Sequence, residues 1–112
     1  MIIRLLAAFA IACIAFVAHA ADAYPTKPIR FVVPFPPGNA GDLMARMLAE
    51  RLGASTGQSV VVDNRPGAAG NIGAEAVVRA PADGYTVLIG ASGIFVANPY
   101  LYKLSFDPLK DL

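Results

Sequence analysis

The stretch IRFVVPFPPGNAGD, residues 29–42, decides how this chain is read. Ile29 to Val33 is a short, nearly unbroken apolar run rich in β-branched residues, the pattern of a strand buried on both faces of a parallel sheet. Pro34, Phe35, Pro36, Pro37 and Gly38 cannot continue a ladder, so the chain is predicted to turn and enter a helix near Asn39 to Asp42. A strand's carboxyl end feeding a helix start through such a turn leaves backbone N–H groups over the sheet edge. That is an anion site in outline, and open α/β sheets bind ligands in this crevice.

The sequence downstream repeats the arrangement. The spacing predicts a first helix over Ala40 to Leu52, with Leu43, Met44, Met47, Leu48 and Leu52 on its core face and Asp42, Arg46 and Glu50 elsewhere. Asn39 and Asp42 are spaced as a capping box, the methionines read as core packing, and Gly53, reinforced by Gly57, is the expected stop. Ser59 to Asp63 reads as a second buried strand, followed by a Gly/Pro loop over 64–70. A second helix over Asn71 to Arg79 is expected to turn Ile72, Ala76, Val77 and Ala80 inward. After the turn Pro81-Ala82-Asp83-Gly84 come a third strand over Tyr85 to Ile89, the small residues 90–93, and turns at Asn98-Pro99 and Asp107-Pro108, with Asp107 placed to cap a short final helix. The economical fold is α/β: β-α-β-α-β with a parallel sheet and right-handed crossovers.

Upstream, Arg4, the apolar run Leu5 to Ala18 and the small-x-small site Ala18-His19-Ala20 read as a cleavable secretory signal, cut after Ala20. The run is too short for a spanning helix, which needs about 20 apolar residues. Cutting the first 20 of 112 residues leaves 92, enough for one small core. It also removes Arg4, leaving eight basic and eight acidic residues, so a nucleic-acid partner is not expected. Cys13 and His19, the only Cys and His, leave with the signal. The exported chain then has no disulfide, no ordinary zinc site and no Cys/His or Ser/His nucleophile pair, which counts against an enzyme.

The three strand ends lead into small-residue loops, Pro36 to Ala40, Gly67 to Asn71 and Ala91 to Gly93, which can converge at one sheet edge. Their backbone donors, two sets of them at helix starts, suit a carboxylate. Two other readings fail on detail. Residues 67–73 spell G-x-x-G-x-x-G, not the dinucleotide fingerprint, and no cofactor is expected. Ser92 lacks the last glycine of a nucleophile elbow, Ile94 standing there, and lacks any downstream His. Arg65 could meet an anion but is more simply a solvated loop residue.

Several separated segments, in order, carry a family resemblance: Tyr24-Pro25-Thr26-Lys27-Pro28-Ile29-Arg30, VVPFPPG at 32–38 with Asp42, NRPGAAGNIGA at 64–74, ADGYT at 82–86, then Asn98-Pro99, Leu101-Tyr102 and Asp107-Pro108. The chain resembles the Bug family of periplasmic solute receptors of tripartite tricarboxylate transporters. The resemblance implies a two-lobed, type II-like periplasmic binding protein, monomeric, that closes over a small organic acid and delivers it to a membrane permease without catalysis. It implies ligand contacts from Phe35, Pro37, Gly38, Asn39 and Ala40, from Ser92 and Gly93, and from the motif residues Gly70 and Asn71, with no catalytic residue and no metal.

The family goes on through a second lobe, so residues 21–112 are expected to be the incomplete N-terminal part of lobe one. Such a half-site is expected not to bind usefully alone and to leave apolar surface uncovered. Where the family usually has glycine this chain has Asn39, expected to cap the first helix and use a backbone donor otherwise facing the ligand. The rival readings are a fragment of an exported α/β hydrolase or transferase, and a non-functional truncated receptor.

Overall fold

The computed structural model describes residues 23–112; the signal reading of residues 1–20, with Cys13 and His19, lies outside the described residues. The elements are β1 (Ile29–Val33), α1 (Ala40–Thr56), β2 (Val60–Asn64), a 3₁₀ turn (Ala68–Gly70), α2 (Asn71–Val78), β3 (Thr86–Leu88), α3 (Ser92–Val96) and α4 (Asn98–Leu101). The strands form one parallel sheet in the order β2-β1-β3, with Phe31 opposite both Val62 and Val87. Because the order reverses across β1, right-handed crossovers put α1 and α2 on opposite faces. Side-chain alternation agrees: Ile29, Phe31 and Val33 pack with Ala45 and Ala49 of α1, while Pro34, on the other parity, meets Gly73 of α2.

Among the described residues β1 is the only strand buried on both faces, with Val32 and Val33 fully inaccessible. The second strand starts one residue later than expected and is not buried: Val61 is 53% exposed, as an edge strand allows. β3 is shorter than Tyr85 to Ile89, although Arg30 N–H bonds Tyr85 O and Ile89 N–H bonds Val32 O beyond its ends. α1 overruns Gly53 and stops at Gly57, whose left-handed φ of 71° lets its N–H reach Gly53 O. One mid-helix glycine costs only about 1 kcal/mol relative to alanine, too little to break a helix held by packing. The hydroxyls of Ser55 and Thr56, both donating to Leu52 O, finish the turn.

The face that α1 buries is the main correction. Asp42, Ala45 and Ala49 are buried, and Leu52 is half-buried beside them. Leu43, Met44, Met47 and Leu48, expected in the core, are 54%, 60%, 62% and 49% exposed. The alanines allow the helix backbone to approach the sheet closely, and the buried Asp42 fixes its rotation, so the bulky stripe faces away. On α2, Ile72 is likewise exposed, with Asn71, Gly73 and Ala74 inside and Ala76 and Val77 half-buried; the helix ends at Val78, so Ala80, also half-buried, lies beyond it. Asp107 caps a single hydrogen-bonded turn rather than a helix, accepting from Leu109 N–H at 3.0 Å.

The segment before β1 is stapled to the turn before β3. Tyr24 Oη donates to Gly84 O, Thr26 N–H donates to Tyr85 Oη at 2.9 Å, and Lys27 lies 4.5 Å from the Tyr85 ring centre and 3.4 Å from Asp83. Asp83 in turn accepts from Tyr85 N–H at 3.0 Å, closing the turn.

Candidate functional site

The strand ends and helix starts share one sheet edge, and small side chains let them touch. A Cβ on Gly70 would lie 3.0 Å from Ile94 Cδ1 and 3.4 Å from Pro34 Cβ, and one on Gly73 would lie 2.8 Å from Pro34 Cβ. Pro34 after β1, Gly70 and Gly73 around the start of α2, and Ile94 of α3 therefore meet. The three loops converge.

The first loop is held by a buried carboxylate. Asp42, 2% exposed, accepts from Gly38 N–H at 2.8 Å, Arg46 Nε at 3.0 Å and Asn64 Nδ2 at 2.9 Å. Asn64 Nδ2 also donates to Phe35 O at 3.1 Å, and Arg46 Nη2 donates to Asn64 Oδ1 at 3.2 Å. Hydrogen bonds from Arg46, then Gly38, then Asn64 outweigh burial and lower the Asp42 pKa from 3.8 to about 2. Asn39 Oδ1 accepts from Gly41 N–H at 2.8 Å, so Asn39 is the N-cap. The pair is not a capping box, because Asp42 reaches back to Gly38 and not to Asn39. Asn39 N–H bonds Pro36 O at 3.3 Å. In this loop the amide of Ala40 has no acceptor among the described residues, and Gly38, with φ +85°, serves the turn while its N–H is taken. Phe35 folds over the helix start, where a Cβ on Gly41 would lie 2.6 Å from its ring.

In the second loop Ala68 and Ala69 take φ of 49° and 55°, and Gly70 takes 91°. Two consecutive alanines in the left-handed region are strained. Gly70 N–H bonds Gly67 O at 3.0 Å and Asn71 N–H bonds Ala68 O, so neither amide is free. Asn98, 4% exposed, donates from Nδ2 to Ala69 O at 2.9 Å and to Asn71 Oδ1 at 2.7 Å, tying α4 to this loop. Asn71 is 7% exposed and its Nδ2 has no acceptor among the described residues. In the third loop Ser92 is exposed, Gly93 is half-buried and open beyond its Cα, and both amides lack acceptors among the described residues. Arg65 is engaged by Asp63 at 3.1 Å.

The nine residues singled out by sequence thus fall into two groups. Phe35, Pro37, Gly38 and Asn39 on the first loop and Ala40, Ser92 and Gly93 at helix starts lie along the sheet edge, with Phe35 and Gly93 half-buried, whereas Gly70 and Asn71 are buried behind them. They do not line one cavity. The concavities of about 470 and 240 Å³ lie elsewhere, the first among Phe95, Tyr100, Tyr102, Phe106 and Pro108, the second along Met44, Met47, Leu48 and Arg51. Sequence reading missed Arg46, Asn64 and Asn98 as supports of these loops. The i, i+4 spacing of Asp42 and Arg46, and Asn64 at a strand's carboxyl end, were the available signals. Among the described residues no three His, Cys, Asp or Glu stand together as a metal site, and no helix is long and apolar enough to cross a membrane.

A parallel α/β unit with its loops gathered at a switch point is the architecture of a periplasmic binding-protein lobe, and comparison with known proteins specifies which kind. Residues 44–112 match the model of the tripartite tricarboxylate transporter family receptor, and the chain belongs to that family. It is 47% identical over 94 residues to Protein BugT of Bordetella pertussis (strain Tohama I), covering 82% of this chain and 29% of that protein. Among solved structures, an R. palustris protein with adipate superposes with a TM-score of 0.73 at 46% identity, over 77% of this chain and 29% of that one. MatC from Rhodopseudomonas palustris with bound malate gives 0.65 at 28% identity, over 79% and 30%. The chain thus spans somewhat under a third of the length of these relatives. The family is one of transporter receptors, and the hydrolase or transferase reading is set aside.

Proposed function

We propose that the protein is a periplasmic receptor that captures a small di- or tricarboxylate and hands it to the membrane permease of a tripartite tricarboxylate-type transporter. Residues 1–20 serve as the export signal, and residues 21–112 form the N-terminal part of the first lobe of a monomeric, two-lobed receptor. One carboxylate of the ligand sits at the sheet edge between the β1–α1 and β3–α3 loops. Ala40, Ser92 and Gly93 offer amides; Phe35, Pro37, Gly38 and Asn39 shape the wall; Gly70 and Asn71 support it from behind. The observation that carries this reading is the convergence of these loops with free amides at the switch point of the sheet.

The chemistry is recognition alone. Amides at helix starts present partial positive charge to an oxyanion, and Arg46 neutralises the buried Asp42, so that carboxylate does not repel the ligand. The relatives solved with adipate and malate support the choice of ligand class. Calorimetric titration of the full gene product with adipate, malate and a tricarboxylate tests it. Saturable binding to at least one acid, and none to an isosteric diamide, is expected; a folded product that binds no carboxylate contradicts the reading.

A further inference from the structure

Resting on the carboxylate-receptor reading, we propose that Asp42, acting through Arg46 and Asn64, is the positioning residue of the first binding loop and decides which of its amides meet the ligand. Five hydrogen bonds join two strand ends and a helix start: Asp42 to Gly38, Arg46 and Asn64, Asn64 to the carbonyl of Phe35, and Arg46 to Asn64. Arg46 is 52% exposed, but its Nε and Nη2 are engaged within the set. Its effect is on the loop. Phe35 O and Gly38 N–H, the two backbone groups on either side of Pro36-Pro37, are both held, which restrains the loop at both ends of its proline pair.

Withdrawing Gly38 N–H has a consequence for selectivity. Gly38, with its left-handed φ, would be the natural amide to swing toward an anion. With it taken by Asp42 and Gly41 N–H taken by Asn39, Ala40 keeps the exposed amide of the loop. The site then accepts one carboxylate oxygen here, from one direction, and the remaining oxygen is left to the third loop. Asparagine at 42 cannot substitute: its amide would set donors against Arg46 Nε or Asn64 Nδ2, both of which donate now.

The test uses the full gene product, with adipate and malate as probes, and three variants. Asp42→Asn is expected to weaken the better-bound acid about tenfold, and Asn64→Ala, at a half-buried edge position, by roughly three- to tenfold. Leu52→Ala, which thins the core far from the loop, lowers the urea midpoint but leaves Kd unchanged. In ¹H–¹⁵N spectra the Gly38 amide of the wild type is protected from exchange and nearly unmoved by ligand, while Ala40 moves; Asn64→Ala loses the protection of Gly38. Asp42→Asn and Asn64→Ala proteins that bind as tightly as wild type, or a Gly38 amide that shifts with ligand as much as Ala40, overturn the proposal while leaving the receptor reading intact. A wild-type protein that binds neither acid overturns both. Should Asp42→Asn fail to fold, Asn64→Ala and the Gly38 amide decide.

Discussion

Gly73→Ala is the substitution on which the convergence of the loops turns. Gly73 is the third residue of α2 in ordinary helical backbone. A methyl there would stand 2.8 Å from Pro34 Cβ, 3.0 Å from Arg65 O and 3.1 Å from Pro34 Cα. None of these is the end of a flexible side chain, so relief requires α2 to move off the end of β1. Two effects oppose. Alanine is favoured over glycine in a helix by about 1 kcal/mol. Forcing a methyl into a close-packed contact costs about 1–3 kcal/mol. With three contacts this short overpacking wins, and a net loss of up to about 2 kcal/mol is expected. Gly53→Ala supplies the contrast: in α1 the added carbon meets only Gln58 O, at 3.2 Å, and the outcome is neutral to stabilising by up to about 1 kcal/mol. Urea unfolding of the two variants with unchanged slopes gives the comparison. Gly73→Ala also draws Pro34 away from Gly70 and should weaken carboxylate binding. A Gly73→Ala protein as stable as the wild type, with the same affinity, would refute the close approach.

Three further outcomes are expected. Ala69→Gly relieves a left-handed alanine and should raise stability by about 0.5–1 kcal/mol in the same assay; a loss would show that the loop is not strained. Met44→Gln with Met47→Gln should cost less than about 0.5 kcal/mol per site, since both are exposed, whereas core methionines would cost several. Acid unfolding should follow the lowered carboxylates. Asp42 is held at about 2 by Arg46, Gly38 and Asn64, and Glu75, Asp83 and Asp107 are lowered by Ser105, Tyr85 N–H and Leu109 N–H respectively. The folded state releases these protons more readily than the unfolded chain, so their contribution is complete above the unfolded pKa near 4 and is lost as pH falls through the lowered folded values, about 2 for Asp42. The urea midpoint should therefore hold from pH 7 to about 4.5 and drop below it, less steeply in Asp42→Asn.

What could be read in the residues was the part set by local pattern. The run Ile29 to Val33 came out as the central strand with its expected bounds, because a β-branched run ended by prolines leaves the backbone few choices. The helix starts at Ala40 and Asn71 and the parallel sheet were legible, whereas the strand order β2-β1-β3 was not. The orientation of α1 did not follow. Its Leu/Met stripe is the more hydrophobic face, yet the helix turns on Asp42, whose burial depends on Asn64, 22 residues away, and on the Gly38 amide of a turn. No periodicity encodes a partner at that distance. The same holds for Asn98, whose donors reach back 27 and 29 residues to Asn71 and Ala69. Sequence located the loops of the candidate site; the buried amides and the carboxylate that hold them became visible only with the fold.

The central claim is that a carboxylate binds across the β1–α1 and β3–α3 loops. A crystal structure of the full gene product with its best-bound dicarboxylate tests it most directly. The account predicts carboxylate oxygens about 2.7–3.2 Å from the amides of Ala40 and of Ser92 or Gly93, directly or through one water, with Gly38 N–H still on Asp42. A ligand seated away from this edge, in the cavity beside Phe95 and Tyr102 for example, would contradict it.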